Sequence, residues 1–86
     1  MSQKIYIGNL SSNIVNEALA EKFSKYGIVY SAKIITDQET NRPTGMAFVE
    51  MASSEEADMA IMDLNGTFFE GRLINVGKTP KPYNSN

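Results

Sequence analysis

The residues from which this chain could build chemistry are few. Its 86 residues include no cysteine and no histidine. The commonest general base, the commonest zinc ligand and every thiolate or disulfide arrangement are therefore missing together. Serine, lysine and carboxylate chemistry stays open, but no segment clusters those groups. Two aromatic rings in strand-like segments stand out instead. In "TGMAFVEM" (44–51), period-two alternation puts Ala47, Val49 and Met51 on one face and Met46, Phe48 and Glu50 on the other. In "KIYIGNL" (4–10), Ile5 and Ile7 face one way, Lys4 and Tyr6 the other. Phe48 thus lies between a thioether and a carboxylate, on the face where a soluble sheet is normally polar. An outward ring can cover a neighbour, meet a second copy, or offer a flat surface to a ligand.

The elements that position these rings follow from the rest of the chain. "NEALAEKFSKYG" (16–27) repeats Leu19, Phe23 and Tyr26 at helical spacing, with Gly27 at the place of a C′ residue. Asn13 and Asn16 are both candidate caps at its start, and Val15 is a poor one. "IVYSAKIIT" (28–36) reads as a strand with Ala32 and Ile34 inward, and the polar "DQETNRPTG" (37–45) as the loop that follows. Ser53, Ser54, Glu55 and Glu56 offer a capping box, after which Ala57, Ala60, Ile61 and Leu64 continue a helix that ends at Asn65-Gly66. "TFFEG" (67–71) makes a turn or short hairpin, in which one of Phe68 and Phe69 closes the core. "RLINVG" (72–77) is the last strand, with Ile74 and Val76 inward and Leu73 and Asn75 outward. Met59 and Met62 are packing or surface residues.

The order βαββαβ predicts an α+β ferredoxin-like sandwich, a four-stranded antiparallel sheet with both helices on one face. One domain over 1–78 and a flexible tail over 79–86, "TPKPYNSN", complete the expected organisation. In the usual strand order 4-1-3-2 of this fold the first and third strands are central. Tyr6 and Phe48 then lie side by side on the bare face.

At this point two motifs resemble those of the RNA recognition motif family. "IYIGNL" (5–10) is similar to its hexamer, and "TGMAFVEM" to its octamer, usually Lys/Arg-Gly-Phe/Tyr-Gly/Ala-Phe-Val-x-Phe/Tyr. "FSKYG", "TDQET" and "NGTFFEGRLINV" resemble the connecting segments, so the likeness runs from residue 4 to about 78. The resemblance implies non-catalytic binding of single-stranded RNA, with single-stranded DNA as an alternative. Tyr6 and Phe48 stand where the family stacks one base each. Gly45 matches the octamer glycine, Val49 its core valine, and Asn9 and Leu10 the structural end of the hexamer. Lys33, Ile35 and Asn75, outward on the flanking strands, are further contacts, and Lys4, Arg42, Lys78 and Lys81 are phosphate partners. Tyr83 in the tail is a candidate to stack across the sheet. Two positions depart from the pattern. Thr44 replaces the octamer's phosphate-pairing cation, and Met46 replaces its third-place aromatic.

Net charge is −2, and its distribution qualifies that sum. The helical segments carry six carboxylates (Glu17, Glu21, Glu55, Glu56, Asp58, Asp63) against Lys22 and Lys25. The rest of the chain carries six cations against four carboxylates. Acid is therefore expected behind the sheet, on the order of 15 Å from the platform and beyond a screening length of roughly 8 Å. Shallow salt dependence follows; the missing third ring and octamer cation point to weak, few-nucleotide binding, and the resemblance implies a post-transcriptional role. The alternative is a protein-interaction module of the same fold with little RNA affinity. An acylphosphatase-like enzyme would need a phosphate-cradling loop with an arginine where "GNLSSNIV" stands, and a metal carrier would need paired cysteines. No cofactor, metal or membrane partner is expected, and a monomer is the default. The apolar N-terminal run is too short for a signal peptide. The absence of thiols fits a reducing compartment, the cytoplasm, or the nucleus in a eukaryote.

Overall fold

The structure, a computed structural model, describes residues 2–79. The apolar alternation forms strand β1 (Gln3–Gly8), β2 (Val29–Thr36) and β3 (Pro43–Met51), with helices α1 (Asn16–Ser24) and α2 (Ser54–Leu64) between and after them. Three short strands follow: β4 (Phe68–Phe69), β5 (Arg72–Leu73) and β6 (Asn75–Lys78). The main sheet has the order β2-β3-β1-β6, all antiparallel, and β4 and β5 form a separate hairpin. This is the ferredoxin-like α+β sandwich. Both helices pack on the face that carries Ile5, Ile7, Ala47 and Val49, all fully buried.

The core explains why the sheet has only one covered side. Leu19 and Phe23 from α1, and Ala57, Ala60 and Leu64 from α2, meet the inward strand residues in one cluster. Each large side chain buried there contributes roughly 1.5–3 kcal/mol. Phe69 joins the cluster from the hairpin, and Phe68 stays outside with 70% of its surface exposed. No second layer exists among the described residues to cover the other face.

Three local details differ from the sequence reading. Val15 occupies the N-cap of α1 without any side-chain cap. Asn16, a candidate cap, instead accepts a hydrogen bond from the Ile34 amide at 2.9 Å and ties the helix start to β2. The helix ends at Ser24, so Gly27 lies beyond the C′ place, where a Cβ would collide with the Glu56 carboxylate. Glu56 uses that space to accept from the Ile28 amide at 3.2 Å. The capping box of α2 is consequently one-sided, with Ser53 Oγ accepting from the Glu56 amide. Finally, the expected last strand is divided. Arg72 and Leu73 pair with Phe69 and Phe68, and only Asn75–Lys78 join the sheet.

The end of α2 agrees with the sequence reading. Asn65 is its C-cap and Gly66 follows at φ 79°, a left-handed turn that suits glycine. Asn65 Oδ1 also accepts from the Val76 amide at 2.9 Å and fastens β6 to the helix. Asn65→Ala should therefore cost about 1–2 kcal/mol, read as a lower denaturant midpoint with an unchanged m value. An unaltered midpoint would show that the helix–β6 tie contributes nothing.

Candidate nucleic-acid interface

Register assigns each side chain to a face. Tyr6 pairs with Phe48, Lys4 with Glu50, Lys33 with Phe48 and Ile35 with Met46. Antiparallel partners share a side of the sheet, so these residues all stand on the face away from the helices. The Tyr6 and Phe48 ring centroids are 6.3 Å apart with the planes tilted by 58°. Both rings are half-buried, and Met46 is 37% exposed at the next outward position of β3.

Two glycines set the surroundings of Tyr6. A Cβ on Gly8 would lie 3.1 Å from Tyr6 Cζ and 3.3 Å from Cε2, so the ring leans along its own strand into the space that Gly8 leaves. Opposite Tyr6 on β6 is Gly77, where a Cβ would meet nothing within 4 Å. The flank of the ring toward β6 is open. Lys4 Nζ lies 5.8 Å from the Phe48 centroid, within cation–π range. Glu50 brings a carboxylate to the same face, and it accepts a hydrogen bond from Ser2 Oγ at 2.6 Å.

The end of the platform is a polar groove between β1, β3 and the β5–β6 segment. Its lining includes Asn9, Ser12, Thr44, Met46, Arg72 and Asn75. Gly45, at φ 90°, turns its carbonyl to accept from the Leu10 amide at 2.9 Å and closes the groove floor. Thr44 Oγ1 donates to the Ile35 carbonyl at 2.9 Å. Among the described residues, no group of three His, Cys, Asp or Glu is placed to hold a metal ion, and no helix is long and apolar enough to cross a membrane.

The model of the RNA recognition motif matches residues 5–75. The chain belongs to the RNA recognition motif family. It is similar to the protein RbpE of Nostoc sp., a chain designated as RNA-binding, with 45% identity over 74 residues that make up 86% of this chain and 75% of that one. It spans 43% of a glycine-rich RNA-binding protein of Mycosarcoma maydis and 26% of one from Arabidopsis thaliana. Among solved structures, RNA binding protein PG1 superposes with a TM-score of 0.89 at 39% identity, covering 93% of this chain and 96% of that one. The Sxl-lethal protein in its RNA complex gives a TM-score of 0.83 at 35% identity, over 90% and 47% of the two chains.

Within this RNA recognition motif domain, most residues singled out from the sequence are brought together. Tyr6, Phe48, Met46, Lys4, Lys33 and Ile35 share the open face, and Asn75, paired with Gly8, stands at its groove end. Arg42 is exposed at the end of the loop between β2 and β3, directly before Pro43, and its carbonyl accepts from the Asp37 amide at 2.8 Å. That loop is folded on Asp37, whose Oδ1 accepts from the Glu39 and Thr40 amides. Lys78 stands apart from these. It pairs with Ile5, hence lies on the helix side, where its Nζ is 3.0 Å from Asp58 Oδ1. β6 runs one residue further than the sequence pattern suggested, and that one step decides the face. Lys81 and Tyr83 lie outside the described residues.

Arg72 was missed as a groove residue. "GRLINV" marks it as an ordinary strand-flanking cation, and the signal that places it is a tertiary contact with Asn9, 63 residues away. The berth of Tyr6 is testable alone. Gly8→Ala should push the ring away, abolishing the Tyr6 ring–residue 8 nuclear Overhauser contacts while the melting temperature changes little, because the ring is free to move. Persistence of those contacts would show that Gly8 does not seat the ring.

Proposed function

We propose that the chain binds single-stranded RNA without catalysis, two neighbouring bases stacking on Tyr6 and Phe48. The observation that carries this reading is the adjacency of the two rings, 6.3 Å apart and paired in register on the uncovered face. A spacing of that size suits successive bases of a strand that has been splayed open, and sequence-specific RNA readers take unstacked bases in this manner. The names of the similar chains, and the RNA complex among the similar structures, support the same ligand.

The affinity is set by what the platform lacks. Stacking supplies roughly 1–3 kcal/mol per base, hence about 2–6 from two rings. A micromolar complex needs roughly 8 kcal/mol. Met46 gives a flexible apolar contact in place of a third ring, and Thr44 gives no charge. The remainder must come from Lys4, Lys33 and Arg42 toward phosphates and from Ile35, Asn75 and backbone groups toward bases and sugars. Binding is therefore micromolar or weaker, confined to a few nucleotides. The acid of the helices lies behind the sheet and repels the strand little across the screening distance. A weak reader of short single-stranded sites suits a post-transcriptional regulatory role.

Two substitutions test the account. Phe48→Ala removes an outward ring and should weaken binding of short single-stranded RNA by about fivefold or more, with the melting temperature nearly retained. Equal affinity in a folded variant would remove stacking from the mechanism. Thr44→Arg restores a cation at the groove and should strengthen binding while steepening the salt slope by about 0.7. An unchanged slope would show that no phosphate passes over residue 44.

A further inference from the structure

We infer that the groove beside the platform is a phosphate site for the same strand, with Arg72 as its cation. The inference rests on the stacking reading and extends it to a residue that neither hexamer nor octamer contains. Asn9 is the anchor. It adopts φ 61°, a left-handed conformation that asparagine tolerates better than most residues. That backbone geometry brings its own carbonyl and its side-chain amide to one place. Arg72 Nε donates to the Asn9 carbonyl at 3.2 Å, and Arg72 Nη2 donates to Asn9 Oδ1 at 2.5 Å. The Asn9 Nδ2 in turn donates to the Leu73 carbonyl at 2.7 Å. Two bonds thus hold the guanidinium at the groove rim, and the third ties Asn9 to the hairpin.

The remaining donors of Arg72 carry the chemistry. Asn9 takes the Nε side of the fork, which leaves the Nη1 hydrogens and one Nη2 hydrogen for another acceptor. Two parallel N–H groups match two oxygens of a phosphate, and a pre-organised guanidinium loses little entropy on pairing. Among the described residues, no carboxylate stands within ion-pair distance of it. Both Arg72 and Thr44 line the groove. The cation absent from residue 44 is therefore supplied from the β4–β5 hairpin. The groove meets the platform at Met46, one outward place from Phe48, and at Asn75, opposite the Gly8 berth of Tyr6. A backbone leaving the stacked bases at that end runs onto Arg72.

Dye-labelled random RNA octamers, titrated with the 86-residue chain across a salt series, test this. Arg72→Met should weaken binding about tenfold, the loss expected for one charge-assisted pair. It should also reduce the slope of log affinity against log salt by about 0.7. Phe48→Ala should lower affinity and leave that slope in place, so the two failures are separable. A folded Arg72→Met chain with wild-type affinity and slope, beside a weakened Phe48→Ala chain, overturns the phosphate site and keeps the platform. Loss of slope with Arg72→Met and no effect of Phe48→Ala keeps the site and removes stacking. Should Arg72→Met fail to fold, the wild-type Arg72 Nε–Hε resonance decides by NMR. It should shift as RNA is added, and its constancy while Phe48 shifts overturns the inference.

Discussion

The pairing of β1 with β3 is the constraint on which the rest of this molecule depends. Five consecutive partner pairs, from Gln3–Met51 to Ile7–Ala47, fix the two central strands in register. Ile5, Ile7, Ala47 and Val49 then fall on one side and are fully buried under the helices. Their burial leaves Tyr6 and Phe48 no place except the opposite side. A slip of β1 by one residue would expose Ile5 and Ile7 and turn Lys4 and Tyr6 toward the helices. The energy that holds the core is therefore the same energy that presents the rings. Stability and ligand surface are two faces of one alternation.

From that arrangement the site inherits both rigidity and limitation. The rings stand on the middle strands of the sheet, which β2 and β6 brace on either edge. Glycine does positional work beside them, since Gly8 leaves room for the Tyr6 ring and Gly77 keeps its other flank open. Among the described residues, three cations stand around the platform: Lys4 over the Phe48 ring, Lys33 on β2, and Arg72 lining the adjoining groove. Glu50 sits among them, so the face is only modestly positive. In the proposed mechanism, flat surface is the principal attraction offered to a polyanion, and charge refines the path.

Much of this was legible in the sequence because its signal is local. Period-two alternation assigned the faces of β1 and β3, and helical spacing located Leu19, Phe23, Ala57, Ala60 and Leu64. The sequence reading failed where one residue answers to a distant partner. Nothing near Asn16 announces that its side chain serves the Ile34 amide in place of a helix cap, nor that Glu56 reaches Ile28. "RLINVG" has one unbroken alternation, yet Arg72 and Leu73 are drawn to the β4 strand before Asn75 enters the sheet. Lys78 is expected from the sequence as a phosphate partner, whereas its pairing with Ile5 turns it toward Asp58. The Asn9–Arg72 clamp joins the two ends of the domain and has no sequence-local trace.

The central claim is that the open sheet face takes single-stranded RNA through Tyr6 and Phe48. It is tested most directly by an NMR titration of the isotopically labelled chain with a pool of random RNA hexamers. The account predicts shifts concentrated at Tyr6, Met46 and Phe48, extending to Lys33 and Asn75, with the helix residues still. Shifts confined to the helices, or none on the sheet face at millimolar RNA, would contradict it.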